Sequence, residues 1–316
     1  QRALGDIHLC FLSQLAYNSE ILSKFVEDKP LNYIVMRHTE ERYISLLTDF
    51  GFKRIFGTKP NKDLLIDFLN SLFNGEQVVK DVTFLNSEYV GDVHTDRKAI
   101  FDVYCENEKG EKFIVEMQNA YQTYFKDRSL YYATFPIREQ AQKGEGWNYK
   151  LKHVYVVALL NYDMSDPAFS DDTINHDIGL LDKQTHRVFN DKLTFKYVEI
   201  SKFNKRIEEL KTNYDKWLFV LQNLSRLDRQ PEYLQTAVFN RLFAEAEIAK
   251  FTRAELREYE DSLKAYRDIK NSLDSAKQEG KKDKAIEIAK NLLEMGMSID
   301  NIMKATGLSQ EEIAKL

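Results

Sequence analysis

The stretch Ala99–Gln118, AIFDVYCENEKGEKFIVEMQ, restricts what this chain can fold into more than any other. It reads as a β-hairpin whose turn, Glu108-Lys109-Gly110, is a three-residue loop with Gly110 in the left-handed region. Under that turn, paired residues carry numbers that sum to 218. Phe101 then faces Met117, Val103 faces Val115 and Cys105 faces Phe113, an apolar face that belongs to a core. On the opposite face Tyr104 meets Ile114, and Asp102 lies directly across from Glu116. Gln118 projects on the same side as Glu116, roughly 7 Å further along the strand.

Directly opposed like charges destabilise a sheet, and two carboxylates with Cβ atoms about 5 Å apart call for a proton or a cation between them. Hard divalent ions such as Mg2+ take carboxylate oxygens and retain water ligands. By itself the pair is open between a metal site and two acids that are solvated or matched by a nearby Lys or Arg, because exposed charge is the default on half-buried strands.

The surrounding pattern sets this hairpin among helices. Thr48–Gly57 predicts a short helix capped by Thr48 or Asp49, with Phe52, Ile55 and Phe56 on one face. From Asn61, apolar residues at 64, 65, 68, 69 and 72 predict a second helix closed by Asn74-Gly75. A strand is expected near Val78–Leu85, and a helix over most of Gln118–Ala141 that Pro136 kinks or breaks. His153–Tyr162 reads as a buried central strand, with further strands at Ile174–Leu181 and Leu193–Ile200 and helices at Asn204–Leu224 and Glu232–Phe251. The class is α/β or α+β with one mixed sheet.

The chain has 316 residues, enough for one large domain or two, and 43% hydrophobic residues, enough for a core. A net charge of −5 excludes a bulk polyanion binder but not a local basic groove for nucleic acid. Cys10 and Cys105 make no disulfide framework, which suits a reducing cytoplasm. No apolar run is long enough to cross a membrane, and Gln1–Pro30 lacks the pattern of a signal peptide. Residues 1–40 are weakly patterned and are expected to form an extension outside the main core, with Met36 as a candidate natural start. The six histidines show no zinc-ligand spacing, and there is no phosphate-cradling glycine loop and no GxSxG elbow.

Beyond residue 250 the chain reads as all-helical. Thr252–Gln278 predicts a solvated helix, and Asp283–Leu316 three short helices broken at Met295-Gly296 and Gly307. Ser298 and Ser309 are candidate N-caps, and Ser309 with Glu312 makes a capping box. Ile286, Ile288, Leu292, Leu293, Ile299, Ile302, Met303, Leu308 and Ile313 are the expected small core of either a helix-turn-helix or an oligomerisation tail. Six lysines balance six acids over 281–316, so no basic footprint marks DNA contact there.

Several stretches together resemble the PD-(D/E)xK nuclease superfamily, and within it the recombination-promoting nuclease/transposase family. They are FGFKRIFG (50–57), NKDLLIDFLN (61–70), DRKAIFDVYC (96–105), GEKFIVEMQ (110–118), RSLYYA (128–133) and QKGEGWNYKLKHVYVVALLNY (142–162). The likeness covers roughly Thr48–Phe203, and the end ATGLSQEEIAKL is similar to tails appended to such proteins. It implies a restriction-endonuclease-like α/β core, a mixed central sheet flanked by helices, over 41–250, followed by an all-helical tail over 251–316.

The resemblance assigns the catalytic positions to Asp102, Glu116 and Gln118, with Asp102, Glu116 and the Met117 carbonyl holding Mg2+, or Mn2+ in its place. Gln118 stands where many superfamily members carry Lys; a neutral amide orients water by hydrogen bonding but brings no charge. The implied activity is metal-dependent hydrolysis of DNA phosphodiesters, in recombination or mobile-element biology, by a chain that acts alone or as a homodimer. The alternative is a DNA- or partner-binding protein on the same fold without useful catalysis. Accessory candidates are Asp49, as a third acid or merely a helix cap, Lys53, as a phosphate contact or a solvated lysine, and Arg128 and Tyr131. The last two, with Gln140, lie on the helix that flanks the active site in related nucleases. Asp96 and Lys98 precede the first catalytic strand, Asp96 as a turn residue.

Overall fold

A computed structural model describes residues 41–89, 99–141, 148–169 and 172–316. The expected extension 1–40 with Met36, and also Cys10, Asp96 and Lys98, lie outside the described residues. The helices are α1 (Asp49–Phe56), α2 (Lys62–Phe73), α3 (Phe125–Glu139), α4 (Asn213–Asn223), α5 (Ala237–Ala246), α6 (Arg253–Glu294), α7 (Ile299–Thr306) and α8 (Gln310–Ile313). The strands are β1 (Val82–Phe84), β2 (Glu88–Tyr89), β3 (Ala99–Ile100), β4 (Val103–Asn107), β5 (Lys112–Gln118), β6 (Val154–Leu160), β7 (Asn175–Leu181) and β8 (Val188–Glu199).

Six strands form one mixed sheet in the order β1-β4-β5-β6-β8-β7, and β2 pairs with β3 beside it. β5, β6 and β8 run parallel; β1, β4 and β7 are antiparallel to their neighbours. β6 is buried along its whole length, which explains why VYVVALL shows no polar alternation. Against one face of the sheet lie α1, α2, α4, α5 and the first turns of α6, around Phe52, Phe56, Phe68, Trp217 and Phe239. Against the other face lies α3, which packs Ala133 on Tyr104, Ile114 and Val156. Helices on both faces of a mixed sheet with a parallel centre give an α/β fold. The buried Cys105 sits in the first core, where burial pushes its thiol up to about 12.

Several expected boundaries move for identifiable reasons. The strand expected from Val78 starts only at Val82, because the Val79 N–H and C=O are both taken by the Asn70 side chain, each at 2.8 Å. The helix after the hairpin spans only Phe125–Glu139, with Pro136 near its end and the preceding residues forming strand and loop. The helix expected from Asn204 begins at Asn213, where a capping box sets its start. Thr212 Oγ1 accepts from the Asp215 N–H at 3.0 Å, and the Asp215 carboxylate accepts from the Thr212 N–H at 3.1 Å. Thr212→Ala is expected to cost about 1 kcal/mol in urea unfolding. Of Glu232–Phe251, only Ala237–Ala246 is α-helix, preceded by a short 3-10 turn.

The largest departure is α6. The helix expected to stop at Gln278 and the one expected from Asp283 are a single helix of 42 residues that runs through Gly280. Lacking proline and exposed over its middle, the segment has nothing to stop it, and one glycine costs only about 1 kcal/mol. Tyr259 and Leu263 near its start and Ala289 near its end are its buried residues. Ala289, Ile302, Leu308 and Ile313 form the tail's core with Ile286, Leu292 and Met303 against it. Ile288, Leu293 and Ile299, expected in that core, are exposed. No helix among the described residues is long and apolar enough to cross a membrane.

Candidate active site

The hairpin forms as its turn dictates. Val103, Tyr104, Cys105 and Glu106 pair with Val115, Ile114, Phe113 and Lys112, and Gly110 has φ of 77°. β5 is an interior strand, antiparallel to β4 and parallel to β6, so residues at its C-terminal end are held from both sides.

The ladder stops at Val103, and what replaces it is the centre of the site. The Asp102 carboxylate accepts from the Met117 N–H at 2.8 Å, and the Glu116 carboxylate accepts from the Asp102 N–H at 3.2 Å. Two acidic side chains thus stand in for the backbone bonds of the next rung. The chain bends there, which corrects one expectation: Phe101 does not face Met117. It packs on the α3 side, with ring centroids 5.5 Å from Tyr104 and 5.1 Å from Tyr132. Glu116 and Gln118 are buried, and Gln118 Nε2 donates to Glu116 Oε2 at 3.3 Å.

Burial is the main force on both acids. It raises the Asp102 carboxyl, opposed by the Met117 N–H and reinforced by the charge of Asp49. It raises Glu116 strongly, and the nearby Asp102 carboxylate adds to the effect. Lys53 and Arg128 pull both acids down but do not offset burial. A raised acid held by a second acid is what a bound cation relieves. The donor set is hard oxygen, and no group of three or more His, Cys, Asp or Glu side chains able to hold a metal occurs among the described residues. The residues that could hold a metal here are the two carboxylates, with a backbone oxygen beside them, a donor set that suits a hard divalent ion such as Mg2+. The Met117 C=O leaves β5 on the same edge as its N–H, towards Asp102.

Of the accessory candidates, Asp49 does not cap α1; Thr48 does, accepting from the Gly51 N–H at 3.0 Å. A Cβ at Gly51 would run into the Ser45 carbonyl oxygen, so this turn packs backbone to backbone. Asp49 is instead paired with Lys53 at 2.8 Å. Burial works against the Lys53 ammonium, but the Asp49 pairing and the field of Asp102 and Glu116 outweigh it and hold its pKa above the usual lysine value. Arg128 donates to Gln122 at 2.6 Å and lies over the Phe125 and Tyr132 rings. Tyr131 and Tyr132 both line a cleft along α3; the tyrosine that feels the acidic pair is Tyr132, raised by burial and then by Glu116. Tyr132 is not among the residues expected from the sequence, although its i+4 relation to Arg128 is legible there. Gln140 is structural, bridging Pro136 to Lys152 at the entry to β6.

A mixed sheet with helices on both faces, whose second and third strands bring together an Asp, a Glu and a polar residue two positions on, is the core of a PD-(D/E)XK nuclease. The chain belongs to the PD-(D/E)XK nuclease family transposases, whose family model matches residues 46–276. Residues 282–316 match the C-terminal HTH domain of the Rpn/YhgA-like nuclease family, which settles α7 and α8 as part of a helix-turn-helix segment. No curated protein and no solved structure matches the chain.

Proposed function

We propose that the protein is a Mg2+-dependent DNA endonuclease acting in recombination or mobile-element biology in the cytoplasm. The buried Asp102–Glu116 pair carries this reading, because two carboxyl groups held side by side out of water resist ionising together unless a cation joins them. Asp102, Glu116 and the Met117 carbonyl hold the metal, which when bound supplies Lewis-acid polarisation of water and phosphate. Gln118 gives one of its two amide N–H groups to Glu116, and the rest of the amide orients the attacking water by hydrogen bonding without taking its proton. Arg128 faces the charge that develops on the phosphate oxygens. The helix-turn-helix segment binds duplex DNA, and the chain acts as a homodimer.

The test is supercoiled plasmid incubated with the full chain and Mg2+, Mn2+ or EDTA. Nicking or linearisation is expected with either metal and not with EDTA. Plasmid that is shifted on a native gel yet uncut under every metal would replace the enzyme by the binding-protein reading. Light scattering of the full chain, free and with a short duplex, checks the dimer.

A further inference from the structure

One hollow reaches Asp102 itself and a second lies along the neighbouring helix α3, and their chemistry is opposite. One, of about 710 Å3, lies between α1 and α6 and is lined by Asp49, Glu88, Asp102, Glu255, Glu258 and Asp261. Its cations are spent, Lys53 on Asp49 at 2.8 Å and Arg54 on Glu255 at 2.6 Å. A polyanion is repelled there. The other, of about 700 Å3, opens along the N-terminal half of α3. Tyr124, Arg128 and Tyr131 line it at spacings of four and three, so they share one face of the helix, with Tyr132 beside them on the side of Glu116.

This cleft is aromatic rather than basic. Tyr124 is 75% exposed and Tyr131 43%, and Tyr121, on the loop leaving Gln118, is 53% exposed. Arg128 and Asp127 are its only charged residues among those described, so it has no surplus charge with which to neutralise the paired backbones of a duplex. One Arg128 nitrogen, Nε, is buried without a hydrogen-bond partner. Exposed tyrosines on either side of one arginine suit unpaired bases, whose faces stack on aromatic rings whatever their identity, with a phosphate between them.

We propose that this face of α3 is a base-stacking platform and that DNA reaches the Asp102–Glu116 pair as a single strand; the inference rests on the nuclease reading above. Tyr124 and Tyr131 each stack a base, and Arg128 holds the intervening phosphate beside the carboxylates. Duplex DNA held by the helix-turn-helix segment is then cut where it is melted, flapped or gapped.

Binding in EDTA tests this without any cleavage. Fluorescence anisotropy compares the full chain on a labelled strand of about twenty thymidines, on an abasic backbone of equal length, and on a matched duplex. The Asp102→Ala chain, Tyr124→Leu/Tyr131→Leu, and Tyr124→Phe/Tyr131→Phe are measured alongside. The thymidine strand is expected to bind about tenfold or more tightly than the abasic one. The leucine pair abolishes that margin without changing abasic binding or melting temperature, and the phenylalanine pair restores it. Equal affinity for base-bearing and abasic strands, or a margin untouched in the leucine variant, overturns the platform. Neither result bears on whether plasmid is cut, so the nuclease reading stands or falls separately.

Discussion

If the proposed nuclease reading holds, Asp102→Ala is expected to lower metal-dependent plasmid cleavage by a factor on the order of a thousand, the scale on which removing a group that stabilises the reacting charge costs an enzyme. The variant loses a metal oxygen and the acceptor for the Met117 N–H. The lost hydrogen bond costs about 1 kcal/mol of stability, too little to unfold the domain. Asp102→Asn separates the two roles. Its side-chain oxygen still accepts from Met117, so melting is close to wild type, yet the missing charge leaves cleavage as low as in the alanine variant. Gel kinetics beside thermal melting check both. An asparagine variant that cuts at the wild-type rate would place the metal elsewhere.

Glu116→Gln acts on stability in the direction opposite to most substitutions of a buried residue. The folded protein holds the Glu116 carboxyl well above its value in the unfolded chain, chiefly through burial and then through Asp102. Such a group stabilises the fold while protonated, and that contribution is lost as pH rises from the ordinary glutamate range through the raised folded value. Metal-free wild type therefore weakens between about pH 5 and about pH 9, and the glutamine variant, which lacks the Glu116 proton, loses only the contribution that the raised Asp102 carboxyl makes. Above neutrality the variant is the more stable by on the order of 2 kcal/mol, and the gap closes at low pH. Its oxygen keeps the bond from the Asp102 N–H, and the Gln118 amide turns over to meet the new donor. Adding Mg2+ at high pH restores wild type but not the variant. Urea unfolding across pH, with and without metal, reads all four conditions; a wild type as stable at pH 9 as at pH 5 would show that Glu116 is not strained by burial.

The hairpin was legible because turn chemistry fixes register: once Gly110 is placed, each pairing from Val103 to Glu106 follows. The bend at Asp102 was not, since it arises where side chains take over backbone bonds, and no alternation of apolar residues announces that exchange. Phe101 changes face as its consequence. Tyr131 and Tyr132 differ by about 100° around the helix, so which one meets the acids depends on where α3 begins. Its start at Phe125, after a loop, is decided by tertiary packing of Phe125 beneath Tyr197. The start of α4 was local and readable in Thr212 and Asp215, but with Asp in place of the usual Glu or Gln. Asp49 and Thr48 were equally eligible caps by composition; only geometry chooses between neighbours.

One helix joins the two ends of this molecule without a break. Leu263 is anchored in the nuclease core with Tyr266 packed against it, Ala289 in the helix-turn-helix core with Ala285 and Ile286 against it, and the turns over 267–284 are exposed. At 1.5 Å and 100° per residue, the two anchors stand roughly 40 Å apart along a fixed azimuth. Residue count is thereby translated into distance and angle, as on a threaded rod. Deleting two residues from the exposed stretch swings the helix-turn-helix segment to the far side of the rod while shortening it by only about 3 Å, and deleting seven nearly restores its heading. The placement of the helix-turn-helix segment relative to the Asp102–Glu116 pair is thus a matter of screw pitch.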